Sequence, residues 1–220
     1  MTPCLPSIAV IGGTGALGTG LATRFAAAGY PTIIGSREAA KAEAAAAAIA
    51  ATVTGLDNAA AARAGDVVIL TVPFASHSAT LAAIRAAVAG KIVVDTTVPL
   101  VPPKVATVQL PPEGSAAVAA QRLLGDGVRV VSAFHNVAAQ KLRTGSPIDC
   151  DVLVCGNDRA ACEQVIALAR AIGLRGIDAG PLANSVAAEA LTSVLIGINR
   201  RYKVEGAGIR ITGSFGAAAE

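Results

Sequence analysis

Ser7-Ile-Ala-Val-Ile-Gly-Gly-Thr-Gly-Ala-Leu-Gly18 is a short apolar run that breaks into glycines and leads into Leu17, Leu21 and Phe25 at helical spacing. The pattern reads as strand, turn and helix. Gly13-Thr-Gly15-Ala-Leu-Gly18 within it is a G-x-G-x-x-G, a weak signal alone in a chain with 23 glycines but a specific one between a strand and a helix. In that setting Gly13 permits the tight turn, Gly15 lets the backbone approach a pyrophosphate, and Gly18 lets the helix pack closely on the sheet. The helix N-terminus then meets the anion with free amides and a partial positive charge. A glycine turn needed only for packing is the competing reading, and the strand-helix frame on both sides favours the dinucleotide.

Working outward, Pro31–Gly35 is a second strand candidate and Glu38–Ala51, rich in Ala, Lys and Glu, a second helix. Asp66–Thr71 and Lys91–Asp95 read as further buried strands, with a helix over Ser78–Val88 between them. Alternating elements with unbroken apolar strands imply an α/β, Rossmann-like, doubly wound parallel sheet. Pro99, Pro102, Pro103, Pro111 and Pro112 exclude regular helix and predict a long ordered loop over the sheet's edge. The period then resumes with strands at Gly127–Ser132 and Asp151–Cys155, a helix over Asn157–Ile172 and a long last helix over Asn184–Tyr202. A soft boundary divides a dinucleotide-binding domain, 1–140, from a smaller C-terminal α/β part, 141–220.

Composition removes several classes of function. With 53% apolar and 15% charged residues in 220, the chain buries enough surface to fold as one domain, or one with a small appendage, so extended disorder is excluded. A formal charge of +3, with 3% aromatics and no Trp, excludes the basic, aromatic-interleaved surface of most nucleic-acid readers. Cys4, Cys150, Cys155 and Cys162 form no C-x-x-C pair and the histidines are only His77 and His135, so neither a metal site nor a disulfide framework is readable. A reducing cytoplasm fits. No basic region precedes the first apolar stretch, and neither a signal peptide nor a membrane span is expected.

The end of the second strand, Ile34-Gly35-Ser36-Arg37, carries no carboxylate to bond a ribose 2′-hydroxyl. Ser36 offers a hydroxyl, Arg37 a cationic fork, and Thr14 of the glycine loop reaches the same oxygens, which favours NADP(H). The competing reading makes Ser36 a helix cap and Arg37 a solvated cation. Thr71-Val-Pro73-Phe74, Thr96-Thr-Val-Pro99 and Ala133-Phe-His135-Asn-Val137 lie at other strand ends and converge on one crevice. His77 reads as a polar residue in a helix's first turn, and His135 as either a ligand contact or a loop anchor. No Ser-His-Asp set or paired carboxylate can be placed beside the crevice. Hydride transfer needs none of these, because the cofactor supplies the reactive bond and the protein supplies position.

With Ile11–Gly18, Gly35-Ser-Arg37, Thr71-Val-Pro-Phe74, Val131-Ser-Ala-Phe-His135 and Asp178-Ala-Gly-Pro-Leu-Ala-Asn-Ser185 in this order, nearly the whole chain resembles the NADPH-dependent reductases of the deazaflavin coenzyme F420. The resemblance implies an NADP-dependent oxidoreductase that exchanges hydride between the nicotinamide and the deazaflavin's central ring. It assigns Thr14, Ser36 and Arg37 to the 2′-phosphate and Gly13, Gly15, Ala16 and Leu17 to the pyrophosphate. Val72, Pro73, Val98 and Ala133 fall at the nicotinamide end. His135 and Val137 lie beside both rings, positioning them without an essential catalytic group. Leu191, Thr192 and Gly208 close the deazaflavin side, so that residues 141–220 complete that site. A homodimer follows from the same resemblance, as do a small-molecule substrate and no nucleic-acid or membrane partner. Arg200, Arg201 and Lys203 are candidates to meet the acidic tail of F420, or simply cations favoured at a helix C-terminus. Phe74 stands where archaeal-type members carry Trp, Asn136-Val-Ala-Ala139 where a Pro is expected, and Ala190 where a hydroxyl is expected. An NADPH-dependent reductase of a flavin or imine, and a non-catalytic NADP(H) sensor, are the competing functions.

Overall fold

Ile8–Ile11, Val67–Leu70 and Ile92–Asp95 are buried at every position, as strands covered by helices on both faces must be. In the computed structural model, which describes residues 5–145 and 147–214, these are the inner strands of one sheet. Cys4 lies outside the described residues.

The elements run β1 (Ile8–Ile11), α1 (Ala16–Ala27), β2 (Thr32–Ser36), α2 (Ala39–Ile49), β3 (Val53–Asp57), α3 (Asn58–Ala64), β4 (Val67–Leu70) and α4 (Phe74–Ile84). They continue with β5 (Ile92–Asp95), α5 (Ala116–Leu124), β6 (Arg129–Ser132), α6 (Ala139–Arg143), β7 (Asp151–Gly156), α7 (Arg159–Ala171), β8 (Arg175–Asp178) and α8 (Ser185–Tyr202). The spatial order is β3-β2-β1-β4-β5-β6-β7-β8. The first six strands are mutually parallel, as expected, whereas β7 runs antiparallel to β6 and carries β8 parallel beside it. The sheet thus continues across residue 140.

Alternate strand residues build two cores. Ile8, Val10, Val67, Ile69, Ile92 and Val94 pack with Leu21 and Phe25 of α1, Leu142 of α6 and Val165 and Leu168 of α7. Ala9, Ile11, Val68, Leu70 and Val93 face the other way, onto Leu81 and Ile84 of α4, Ala61 of α3 and Leu124 of α5. Helix boundaries follow local chemistry. Asp57, Ser115 and Asp158 cap α3, α5 and α7 by accepting backbone N–H bonds. Lys91 Nζ donates to the carbonyls of Ala62, Arg63 and Gly65, closing the C-terminal end of α3.

Three expectations change. The proline-rich segment follows β5, an inner strand, so it does not cross the sheet's edge. It packs on α8 instead, with Val98, Pro99, Val108 and Leu110 beside Glu189, Ala190 and Ser193. The helix expected at 78–88 begins earlier, at Phe74, and ends in a 3-10 turn over Arg85–Ala87. In the glycine loop the left-handed backbone belongs to Gly12, φ 73°, rather than to Gly13. Gly13 is needed for space, because a Cβ there would lie 2.7 Å from the Val10 carbonyl oxygen.

By length and composition residues 182–202 could cross a membrane, with a mean hydropathy of 1.3. In the fold one side of α8, with Ala188, Glu189, Ser193 and Leu195, is buried, while Val194, Ile198 and Tyr202 are exposed.

Gly18 seats α1 on the sheet. A Cβ there would lie 2.6 Å from Gly13 Cα and 2.7 Å from Thr71 Oγ1, whereas one at Gly15 would meet only the Gly12 carbonyl at 3.6 Å. Gly18→Ala is therefore expected to cost about 1–3 kcal/mol by overpacking, and Gly15→Ala to stay within about 0.5 kcal/mol of the parent. Urea denaturation midpoints check the pair, and equal losses in both variants contradict the packing assignment.

Candidate functional site

The carboxyl ends of β1, β2, β4, β5 and β6 open on one crevice of about 780 Å³, placed where the strand order turns back at β1 and β4. Its volume lies towards the upper end for a small-molecule site. Thr14, Gly15, Ala16 and Leu17 form one wall, and the first turn of α1 carries neither an acidic side chain nor a side-chain cap. Those backbone N–H groups are left for an anion.

Ser36 and Arg37 follow β2 at the same end. Ser36 is buried and Arg37 is exposed, with no ion pair or hydrogen bond among the described residues. Lys41, one helical turn on, bonds Glu38 at 2.6 Å, and that hydrogen bond and charge, with a lesser contribution from Arg37, hold the Glu38 carboxyl below its usual range. Asn58, at the start of α3, completes this end. Its Oδ1 is buried against Gly35 without a partner among the described residues.

The opposite end is apolar with hydroxyls. Val72 and Pro73 follow β4, Thr96, Thr97 and Val98 follow β5, and His135, Asn136 and Val137 follow β6. Phe134 takes left-handed backbone, φ 67°, a conformation uncommon for a bulky residue, and this turn brings His135 to the crevice. From α8, Thr192 donates its hydroxyl to the His135 carbonyl at 3.0 Å, and Asn136 Nδ2 donates to the Ala188 carbonyl at 2.9 Å. Burial pushes His135 down to about 4, against a raising influence from Asp95, so the ring is neutral at pH 7. Neither ring nitrogen has a partner among the described residues.

A buried polar group lies under this floor. His77 Nε2 is 2.7 Å from Asp95 Oδ2, and Asp95 Oδ1 accepts the Thr97 N–H at 2.9 Å. Glu189 of α8 accepts the Ala116 and Ala117 N–H groups at 2.7 and 3.1 Å. Burial pushes Glu189 up to about 7; the two amides and His77 oppose this, and Asp95 adds to it. His77 does lie in the first turn of α4, where it is a buried partner of Asp95.

Of the residues singled out from sequence, Thr14, Gly15, Ala16, Leu17, Ser36, Arg37, Val72, Pro73, Val98, His135, Val137 and Thr192 line the crevice. Gly13, Ala133, Leu191 and Gly208 do not. Gly13 and Ala133 are buried behind the wall, Leu191 is half-buried on α8, and Gly208 sits against Cys150, whose Sγ would be 2.7 Å from a Cβ there. Arg200, Arg201 and Lys203 are exposed and lie outside it. Sequence reasoning missed Lys41, whose spacing from Arg37 was a usable signal, and Asn58, Thr80, Leu195 and Asn199, which had none. No cluster of His, Cys, Asp or Glu suited to a metal occurs among the described residues.

Residues 7–99 match a family model described as NADP oxidoreductase, coenzyme F420-dependent. An F420-dependent NADP reductase from Methanocaldococcus jannaschii is 45% identical over 93% of this chain and 97% of its own length. One from Methanothermobacter thermautotrophicus is also 45% identical, over 93% and 94%. Among solved structures, a candidate F420-dependent NADP reductase from Arthrobacter sp. FB24 superposes with a TM-score of 0.84 at 27% identity, covering 94% of this chain and all of that one.

Glu189 and His135 act on stability with opposite signs. Glu189, raised from 4.5 to about 7, contributes stability that is full below its ordinary value and is lost as pH rises through about 7. His135, lowered from 6.5 to about 4, contributes stability that is full above its ordinary value and is lost as pH falls through about 4. Glu189→Gln, with no charge to bury, is expected to gain stability relative to wild type between about pH 5 and pH 8, by at most about 3 kcal/mol. Urea midpoints at both pH values check this, and a difference independent of pH contradicts it.

Proposed function

The chain belongs to the F420-dependent NADP reductases, and we propose that its crevice seats NADP(H) along the α1–β2 wall and the deazaflavin ring of F420 between His135–Val137 and α8. It is an NADP-dependent oxidoreductase exchanging hydride between the two. The observation that carries the placement is the opposite character of the crevice's two ends, cations and free amides at one and an uncharged slot of apolar and hydroxyl side chains at the other.

The protein's residues fit these ligands. Gly15 leaves open space above the α1 amides for a pyrophosphate, and Ser36, Arg37 and Lys41 surround the position of a 2′-phosphate. Such a phosphate competes with Glu38 for Lys41. Val72, Pro73 and Val98 give the nicotinamide a floor that excludes water. Val137, buried and lining the slot, fixes the height of the facing ring, while neutral His135 adds no charge against a nicotinamide cation. When both are bound, the reduced nicotinamide supplies a hydride from C4, and the deazaflavin takes it at C5 with a proton from solvent at N1. Position therefore does the work of side-chain acid or base.

In this reading residues 1–140 hold the dinucleotide and 141–220 close the deazaflavin side. Buried free thiols at Cys150, Cys155 and Cys162 fit a reducing cytoplasm. The exposed Val194, Ile198 and Tyr202 on α8 fit a homodimer contact.

Mixing the protein with NADPH and F420 is expected to bleach both chromophores together. Reduction of a flavin or imine but not of F420, or tight NADPH binding without oxidation by any acceptor, overturns the assignment. Arg37→Ala is expected to narrow the preference for NADPH over NADH by about 1.5–3 kcal/mol in kcat/KM. An unchanged preference removes Arg37 from the 2′-phosphate site.

A further inference from the structure

Asp95 and His77 form a hydrogen-bonding contact that is sealed from water, yet neither side chain lines the crevice. Asp95 ends β5, and the next three residues, Thr96, Thr97 and Val98, are crevice floor at the end assigned to the nicotinamide. Asp95 Oδ1 accepts the Thr97 N–H and Oδ2 lies 2.7 Å from His77 Nε2, contacts that suit a carboxylate facing a ring N–H. Part of this is structural, since the Thr97 bond pins the turn that leaves β5. A turn, however, needs no buried anion, since an amide oxygen accepts the Thr97 N–H as well.

The charge reaches the site. His135, on the neighbouring strand end and in the crevice wall, is influenced by Asp95, and so is Glu189 from α8. The groups facing Asp95 are thus His77 from α4, His135 after β6 and Glu189 from α8. In a buried setting such charges act across a side-chain layer with little screening. The two states of the cofactor differ in the relevant way: an oxidised nicotinamide ring carries a positive charge and a reduced one does not.

Resting on the nicotinamide placement above, we infer that Asp95, held by His77 beneath the Thr96–Val98 floor, is a redox-poising residue that makes the site bind NADP+ more tightly relative to NADPH than an uncharged floor would. The carboxylate acts through space on the ring's charge and touches neither the ring nor the reacting carbons. Its effect is to favour the oxidised dinucleotide at the enzyme, and so hydride donation from nicotinamide to deazaflavin.

The test is the ratio of Kd values for NADP+ and NADPH, measured by titrating the full-length protein without F420. Asp95→Asn keeps the volume and the Thr97 bond, and its Nδ2 donates to His77 Nε2 once the ring takes the tautomer that accepts there, while the charge is removed. It is expected to shift the ratio about tenfold towards NADPH. A merely structural role weakens both forms alike and leaves the ratio in place, which overturns the inference while the cofactor site stands. Failure of the wild-type protein to bind either form overturns the site itself. His77→Gln, which still donates to Oδ2 and removes any compensating cation, must hold or increase the preference for NADP+. A shift of His77→Gln towards NADPH overturns the inference even where Asp95→Asn does not fold.

Discussion

Between Gly13, Gly18 and Thr71 there is no room for a side chain: a Cβ on Gly18 would lie within 2.7 Å of both of the others. That contact lets the axis of α1 come down onto the carboxyl ends of β1 and β4, so the helix's unsatisfied amides open at the place where the strand order reverses. One of the two cores depends on the same approach, since Leu21 and Phe25 reach that face of the sheet only because the helix lies this close. A larger residue at position 18 would lift the helix and, with it, the anion-binding end away from Ser36 and Arg37. The fold's tightest packing constraint and the site's geometry are thus the same few atoms.

Strands β1, β2, β4, β5 and β6 were legible because a parallel strand buried on both faces carries an unbroken apolar stretch, from four residues in β1 and β4 down to Ile33-Ile34 in β2 and Val130-Val131 in β6. Strands β3 and β8 were not, and the reason lies in their glycines. A Cβ at Gly55 would lie 2.2 Å from the Glu43 backbone nitrogen, and one at Gly176 would lie 3.0 Å from Ile166 Cα. Each glycine is imposed by a helix crossing close above, a tertiary demand that locally resembles a turn. The antiparallel entry of β7 was equally hidden, since Asp151–Cys155 reads the same in either direction.

The crevice shows the same division. Residues at strand ends were legible because topology alone sends them to one place. Arg37 and Ser36 had the further signal of a missing carboxylate. The layer beneath the floor had no such signal: His77, Asp95 and Glu189 come from a helix, a strand and a distant second helix, and only packing makes them neighbours. Asp95 reads as the polar end of a strand and Glu189 as one charge on a mostly apolar helix. Thr192 shows the converse limit. It was singled out as a ligand contact, and it does line the crevice, but its hydroxyl hydrogen is committed to the His135 carbonyl. Its contribution to a bound ring therefore comes through its methyl and through the loop it holds.

Net charge says little about this protein, since +3 on 220 residues is close to balance, and what matters is where the unbalanced charges stand. At the β2 end the α1 amides and Arg37 present positive potential to solvent, while Lys41 is paired with Glu38. At the β5 end the buried Asp95 carboxyl lies behind neutral His135, and the inferred anion would stand there. In the proposed placement NADP+ has the matching polarity, with phosphates at one end and a cationic ring at the other, so that electrostatics would set its direction in the groove before any contact is made. NADPH keeps only the phosphate half of that match. The reduced cofactor is then held by its tail and less by its ring, which leaves the hydride-bearing carbon anchored chiefly by shape, through Val72, Pro73, Val98 and Val137. A site built this way tolerates uncharged apolar walls around the reacting carbons because orientation is settled elsewhere in the groove.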